Sequence, residues 1–221
     1  MRGDMKKGIK IMAALLAVIA AVLVICLLYR YNYIPHRKYS NEDFGITTYV
    51  SAVDADRDGT DDQTDILQSA KDYVATKPKY KSIYYATGYP DDGYGVCTDV
   101  VAQAFLGAGY DLRVLVNEDI IANPKDYDIA EPDDKIDFRR VKNLEVYFAH
   151  TAVPLTTDLT QIEEWQGGDV VIFPHHIGIV SDHRNRHGVP FVIHHANPMQ
   201  WYYEEDILEN WDEIVGHYRI N

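Results

Sequence analysis

Cysteine and histidine, the two side-chain types best suited to trading a proton near neutral pH, stand at marked positions in this chain. Cys97 lies in Gly95-Val96-Cys97-Thr98-Asp99-Val100-Val101, where glycines and aspartates give way to an amphipathic helical pattern. A thiol opening a helix meets the positive end of the helix dipole, which favours thiolate. His176 begins the strand-like run His176-Ile177-Gly178-Ile179-Val180, and His194 and His195 close the run Phe191-Val192-Ile193-His194-His195. Strand alternation sends His194 and His195 to opposite faces, so only one of them can serve a given site. A cysteine beside a histidine, oriented by a third polar group, is what nucleophilic thiol chemistry requires. The competing reading is a small buried hydrophobe.

A second constellation is Asp54-Ala55-Asp56-Arg57-Asp58-Gly59-Thr60-Asp61-Asp62-Gln63-Thr64-Asp65. Carboxylates Asp54, Asp56 and Asp58, glycine at the sixth position, the Thr60 carbonyl, and Asp62 and Asp65 follow the template of a calcium loop. No helix pattern precedes it, so a solitary or dockerin-like loop capping a helix from Thr64 to Thr76 is expected, with Ca²⁺ as a structural ion. The alternative is an acidic turn that only caps that helix.

These groups need elements to hold them. A helix is expected over Asp99–Ala108, ended by Gly109. Strands are expected at Arg113–Asn117, Val146–Leu155, Val170–Phe173, His176–Ser181 and Val189–His194, with an acidic loop from Glu118 to Asp137. Helix first and strands after, with antiparallel connections, reads as α+β.

The chain has 221 residues and is 47% apolar, enough for a packed core. Ile11–Tyr29 is an unbroken apolar run following Arg2, Lys6, Lys7 and Lys10, which reads as an uncleaved membrane helix with a cytoplasmic N-terminus. A cleaved signal peptide would have a shorter apolar core and a small-residue cleavage site. The organisation expected is a tip and anchor over 1–30, a juxtamembrane linker over 31–50, and an extracytoplasmic domain over 51–221. Residues 39–221 hold 14 basic and 33 acidic side chains, a balance of −19, which argues against nucleic acid. Cys26 falls in the membrane segment and Cys97 in the domain, so the two cannot pair.

Taken in order, the motifs resemble those of the NlpC-type papain-like cell-wall peptidases: a Cys opening a helix, Gly168-Asp169-Val170-Val171-Ile172-Phe173, His176-Ile177-Gly178-Ile179, then a polar residue on the next strand. They are still more similar to the bacterial family called domain of unknown function 1287. That similarity rests on Gly95-Val96-Cys97-Thr98-Asp99, Ile136-Asp137-Phe138-Arg139-Arg140, His176-Ile177-Gly178-Ile179-Val180-Ser181-Asp182 and Gly216-His217-Tyr218-Arg219. The resemblance implies a papain-like fold with the Cys helix packed on an antiparallel sheet. It also implies Cys97 as nucleophile, His176 as general base and His194 as the orienting residue, with His195 the alternative. The function expected is then cleavage of an amide bond, in peptidoglycan peptides, by an anchored cysteine hydrolase, with acyl transfer open to the same machinery. Cell-wall peptide or another amide is the expected substrate, with no cofactor for catalysis. Val96 stands where many of these peptidases carry an amine-holding aspartate, so Asp91, Asp92 or Asp99 is the candidate for a cationic group. Two other readings stand beside this one. One is a non-catalytic wall-peptide or calcium-stabilised interaction domain. The other is a metal hydrolase built on His175, His176, His194, His195 and His217.

Overall fold

In a computed structural model describing residues 2–220, the chain begins with helix α1, Arg2–Arg30. Its side chains from Met5 onward are exposed, and the helix is long and apolar enough to cross a membrane. The chain divides into two units between His36 and Arg37. The second unit therefore starts ahead of the expected boundary at 51, and residues 37–50 are a strap rather than a loose linker. Tyr39 pairs with Arg184 in an isolated antiparallel bridge. Arg184, fully buried, donates to Asn41 Oδ1 (2.5 Å) and to the carbonyls of Trp165, Gly188 and Ile162. A buried guanidinium must satisfy its donors, and the strap supplies one of the acceptors.

The folded unit is α+β. Helix α2 (Asp62–Ala75) precedes a two-stranded parallel ribbon, β1 (Lys79–Tyr80) and β2 (Tyr94–Gly95), which delivers the chain to α3 (Cys97–Gly107). Helices α4 (Leu112–Ala122) and α5 (Val141–Thr151) follow. The strands β3 (Val153–Pro154), β4 (Val170–Phe173), β5 (His176–Arg184), β6 (Pro190–Ile193), β7 (Glu204–Glu205) and β8 (Gly216–Arg219) form one antiparallel sheet. Its order is β3-β8-β4-β5-β6-β7.

Two expected strands are helical instead. Arg113–Asn117 lies in α4, where the Asp111 side chain caps the Arg113 amide and Leu112, Val116 and Ile120 bury one stripe four residues apart. Most of Val146–Leu155 lies in α5, whose buried Leu144, Tyr147 and Phe148 have helical spacing; only Val153–Pro154 is extended. β-branched content suggested strand at both places, and the burial stripe decides against it.

The sheet is covered on both faces, which explains runs that read as wholly apolar. Val170, Ile172, Ile177, Ile179 and Ile193 pack with α2, α3 and α5. Val171, Phe173, Val180 and Val192 pack with Trp165, Ile207 and Leu208. Gly178 permits the close approach of β6: a Cβ there would stand 2.5 Å from Val192 Cγ1 and 3.2 Å from His194 Cβ. Asp169, wholly buried, ties the sheet to α2. It accepts from Arg219 Nε (2.7 Å), Gln63 Nε2 (2.8 Å) and the Gln166 amide (2.8 Å), and lies 3.0 Å from His217 Nε2.

Candidate functional site

Helix α3 begins at Cys97, with Val96 extended before it. Asp99, in the first turn, reaches back to accept the Val96 amide at 2.8 Å and so fixes the helix start. Asp99 is itself held bidentate by Arg139, at 2.6 and 2.9 Å, in a wholly buried pair. It cannot receive a cationic substrate group, because losing a partner from such a pair costs about 3–5 kcal/mol. Asp92 accepts from the Tyr85 hydroxyl (2.8 Å), and Asp91 is exposed.

Cys97 packs against the core that contains Ile177, and the nearby Ile177 and Thr98 amides act to favour its anionic form. The start of α3 thus docks against the start of β5, one residue from His176. Cys97 is half-buried, and loss of solvent around its sulfur outweighs these amides and pushes the thiol up to about 11, which favours a neutral thiol over the thiolate a helix terminus alone suggests.

His176 is buried, and burial with the neighbouring His194 and His195 lowers its pKa to about 2. Its Nε2 lies 2.9 Å from His194 Nδ1. Among the described residues no hydrogen bond engages His176 Nδ1, and none joins the ring to Cys97. The indole of Trp211 stacks on His176 (centroids 5.2 Å apart) and meets His194 edge-on (5.4 Å).

His194, fully buried and pushed down to about 3 by burial, turns its other nitrogen to Glu205 Oε2 at 3.0 Å. His195 points elsewhere, between the rings of Tyr80 and Tyr203 (5.3 and 5.0 Å), and its buried Nδ1 has no hydrogen-bond partner. His194 is therefore the histidine that meets His176. Glu205, Gln200 and Trp211 were not foreseen. They lie in the irregular stretch 197–215, whose two-residue strand is too short to leave an alternation signal.

The five histidines considered for a metal do not converge among the described residues. His175 is exposed in the β4–β5 turn. His217 is held by Asp169 and the Thr156 carbonyl and stacked on Trp165. The groups that do converge are Asp182, His183 and Glu204, and separately Asp54, Asp56 and Asp58. In the first, Lys71 and Lys38 already pair with the two carboxylates.

In the acidic loop, Asp54, Asp56 and Asp58 bring oxygens within 4.8 Å of one another, and Gly59 takes φ +100°. Asp65 faces the same charges. Burial, then Asp58, Asp56 and Asp54, raise its pKa to about 6, and its Oδ2 is buried without a partner. Asp62 does not join them. It is turned into the packing, where it accepts from the Ala55 amide (2.8 Å) and the Tyr110 hydroxyl.

Residues 67–220 match the family model described as domain of unknown function (DUF1287). The uncharacterized protein YijF of Escherichia coli (strain K12) is 38% identical over 151 residues, covering 64% of this chain and 72% of that protein. No solved structure matches the chain.

Neutral buried histidines make stability depend on pH. His176 and His195, neither of which meets a carboxylate among the described residues, titrate at about 2 and about 4 when folded and at 6.5 when exposed. Depressed values give stability that is complete above 6.5 and lost as pH falls. Between pH 6 and 4.5 the two groups should lower unfolding free energy by about 2.4 kcal/mol per pH unit. Urea unfolding of the chain at pH 7 and pH 5 measures this, and His195→Gln should reduce the slope by about half; an unchanged slope contradicts it.

Proposed function

The chain belongs to the domain of unknown function 1287 family, and from that footing we propose that it is a membrane-anchored, extracytoplasmic cysteine hydrolase that cleaves an amide bond in peptidoglycan peptides. The observation that carries the reading is the packing of Cys97, first residue of α3, against the core that contains Ile177, next to His176 at the start of β5. It brings the helix start that bears a thiol to the strand start that bears an imidazole. The α+β architecture, with the Cys helix packed on an antiparallel sheet, supports a papain-like fold of NlpC type. The apolar run Ile11–Tyr29 of α1, preceded by Arg2, Lys6, Lys7 and Lys10, supports a cytoplasmic N-terminus.

In this reading His176 Nδ1 takes the thiol proton as sulfur attacks the amide carbon. The helix-start N–H of Cys97 faces the oxyanion that forms. The imidazolium returns its proton to the departing amine, leaving a thioester. Water, deprotonated by His176, then attacks the thioester carbonyl and releases the acid. An amine in place of that water gives acyl transfer. His194 holds the His176 ring throughout. The Cys97–His176 hydrogen bond, unformed at rest, closes when substrate displaces the local packing, as resting thiol sites commonly require.

The loop at 54–65 is assigned a Ca²⁺ held by Asp54, Asp56, Asp58, Asp65 and the Thr60 carbonyl, with Asp62 serving the fold instead. The crowded carboxylates and the buried, unpartnered oxygen of Asp65 support a cation there.

Acylation by p-nitrophenyl acetate tests the catalytic reading on the full chain in detergent, with Cys26→Ser removing the other thiol. The expected result is a burst of about one nitrophenol per chain, lost in Cys97→Ala and at least a hundredfold slower in His176→Ala. No burst, or a burst indifferent to either change, contradicts the reading and favours a non-catalytic domain that binds wall peptide. For the loop, 10 mM Ca²⁺ should raise the melting temperature by about 3–10 °C. The rise should vanish in Asp56→Ala; no rise in the unaltered chain removes the ion.

A further inference from the structure

We propose that Glu205 is a positioning residue that sets the direction of the proton chain, holding His194 and His176 each with its hydrogen on Nε2 and leaving His176 Nδ1 as the nitrogen that can receive the Cys97 proton. The catalytic consequence rests on the hydrolase reading above; the tautomer assignment does not.

An ionised carboxylate only accepts. The Gln200 amide is oriented by its Oε1, which takes the Ala196 N–H at 2.7 Å, so its NH₂ group points the other way. That group donates to Glu205 Oε2 at 3.2 Å and to the His194 carbonyl at 3.3 Å, and stands 3.4 Å from His194 Nε2. His194 Nε2 is closer to the same Oε2, at 3.0 Å. Oε2 already accepts from Gln200, and a carboxylate oxygen so placed meets the closer His194 Nε2 favourably only when that nitrogen carries the hydrogen.

A neutral imidazole has one N–H, so His194 Nδ1 is then a lone pair. Across 2.9 Å it can only accept, and His176 Nε2 must donate. The remaining nitrogen, His176 Nδ1, is bare. In the opposite arrangement a His194 lone pair would face a carboxylate at 3.0 Å, and His176 would offer the thiol a donor instead of a base. Both rings are buried beneath Trp211, so no bulk water levels this difference.

β7 places the carboxylate. Its two residues face opposite ways: Glu204 is tied to Lys38, Ser181 and His183, and Glu205 is thereby aimed at His194. When the Cys97 proton reaches His176 Nδ1, no other proton needs to move. The new imidazolium keeps donating to His194, with the Glu205 charge one ring beyond.

Nitrogen-15 NMR of the histidine rings in the full chain reads the tautomers directly. Near neutral pH, His176 and His194 should both carry hydrogen on Nε2. In Glu205→Gln, whose amide can turn a donor toward His194, a His176 form with hydrogen on Nδ1 should appear. Acylation of Cys97 should fall at least tenfold while melting shifts by only a few degrees. Glu205→Asp should keep the original tautomers. A wild-type His176 with hydrogen on Nδ1, or a Glu205→Gln variant that changes neither tautomers nor rate, overturns the proposal. Tautomers that follow Glu205 in a chain that shows no acylation would instead sink the hydrolase reading and leave Glu205's role standing.

Discussion

The docking of the start of α3 against the start of β5 is the constraint on which the site depends. It sets a half-buried thiol against the start of the strand that carries His176, whose imidazole, like that of His194, is buried. Two influences then compete at Cys97. A helix terminus favours the anion by about 0.3–1 kcal/mol, and by up to about 2 in the best cases. Burial carries the thiol from 9.0 to about 11, a net effect of about 3 kcal/mol in the other direction. Dehydration wins, and the same dehydration keeps His176 unprotonated. The pair therefore rests neutral, and charge must be made during reaction by moving one proton.

A neutral pair is useful only if the base presents the right nitrogen, which gives the outer residues their importance. Glu205 and Gln200 lie far from Cys97 along the chain, yet through His194 they bear on which His176 nitrogen is bare. The strap contributes at one more remove, since Lys38 pairs with Glu204 and helps to hold the strand that carries Glu205. A segment just beyond the apolar helix thus belongs to the site's support rather than to a passive tether.

How much could be read in advance depended on where each residue sits. Cys97, His176 and His194 stand at the borders of short, strongly patterned elements, so element order pointed to the two strands that bring His176 and His194 to 2.9 Å. The other motif residues pair largely with one another: Asp99 with Arg139, and Asp169 with Arg219 and His217. Those charges serve burial and register, and Asp99 is closed to substrate for that reason. Glu205 and Trp211 left no signal, because two-residue strands and irregular loops are placed by distant partners rather than by local periodicity. The helices α4 and α5 were legible only through burial stripes that β-branched residues obscured. Asp62 fits the spacing of a cation loop, but Tyr110 draws it into the packing, a contact no local pattern contains.

The central claim, a thiol and imidazole that both rest neutral, is tested most directly by titrating the Cys97 thiolate through its ultraviolet absorbance. The signal is the difference between the chain and its Cys97→Ser variant. The account predicts no thiolate at pH 7 and a rise only toward about 11. A thiolate already present at neutral pH, lost on His176→Ala, would instead show a preformed ion pair and contradict it.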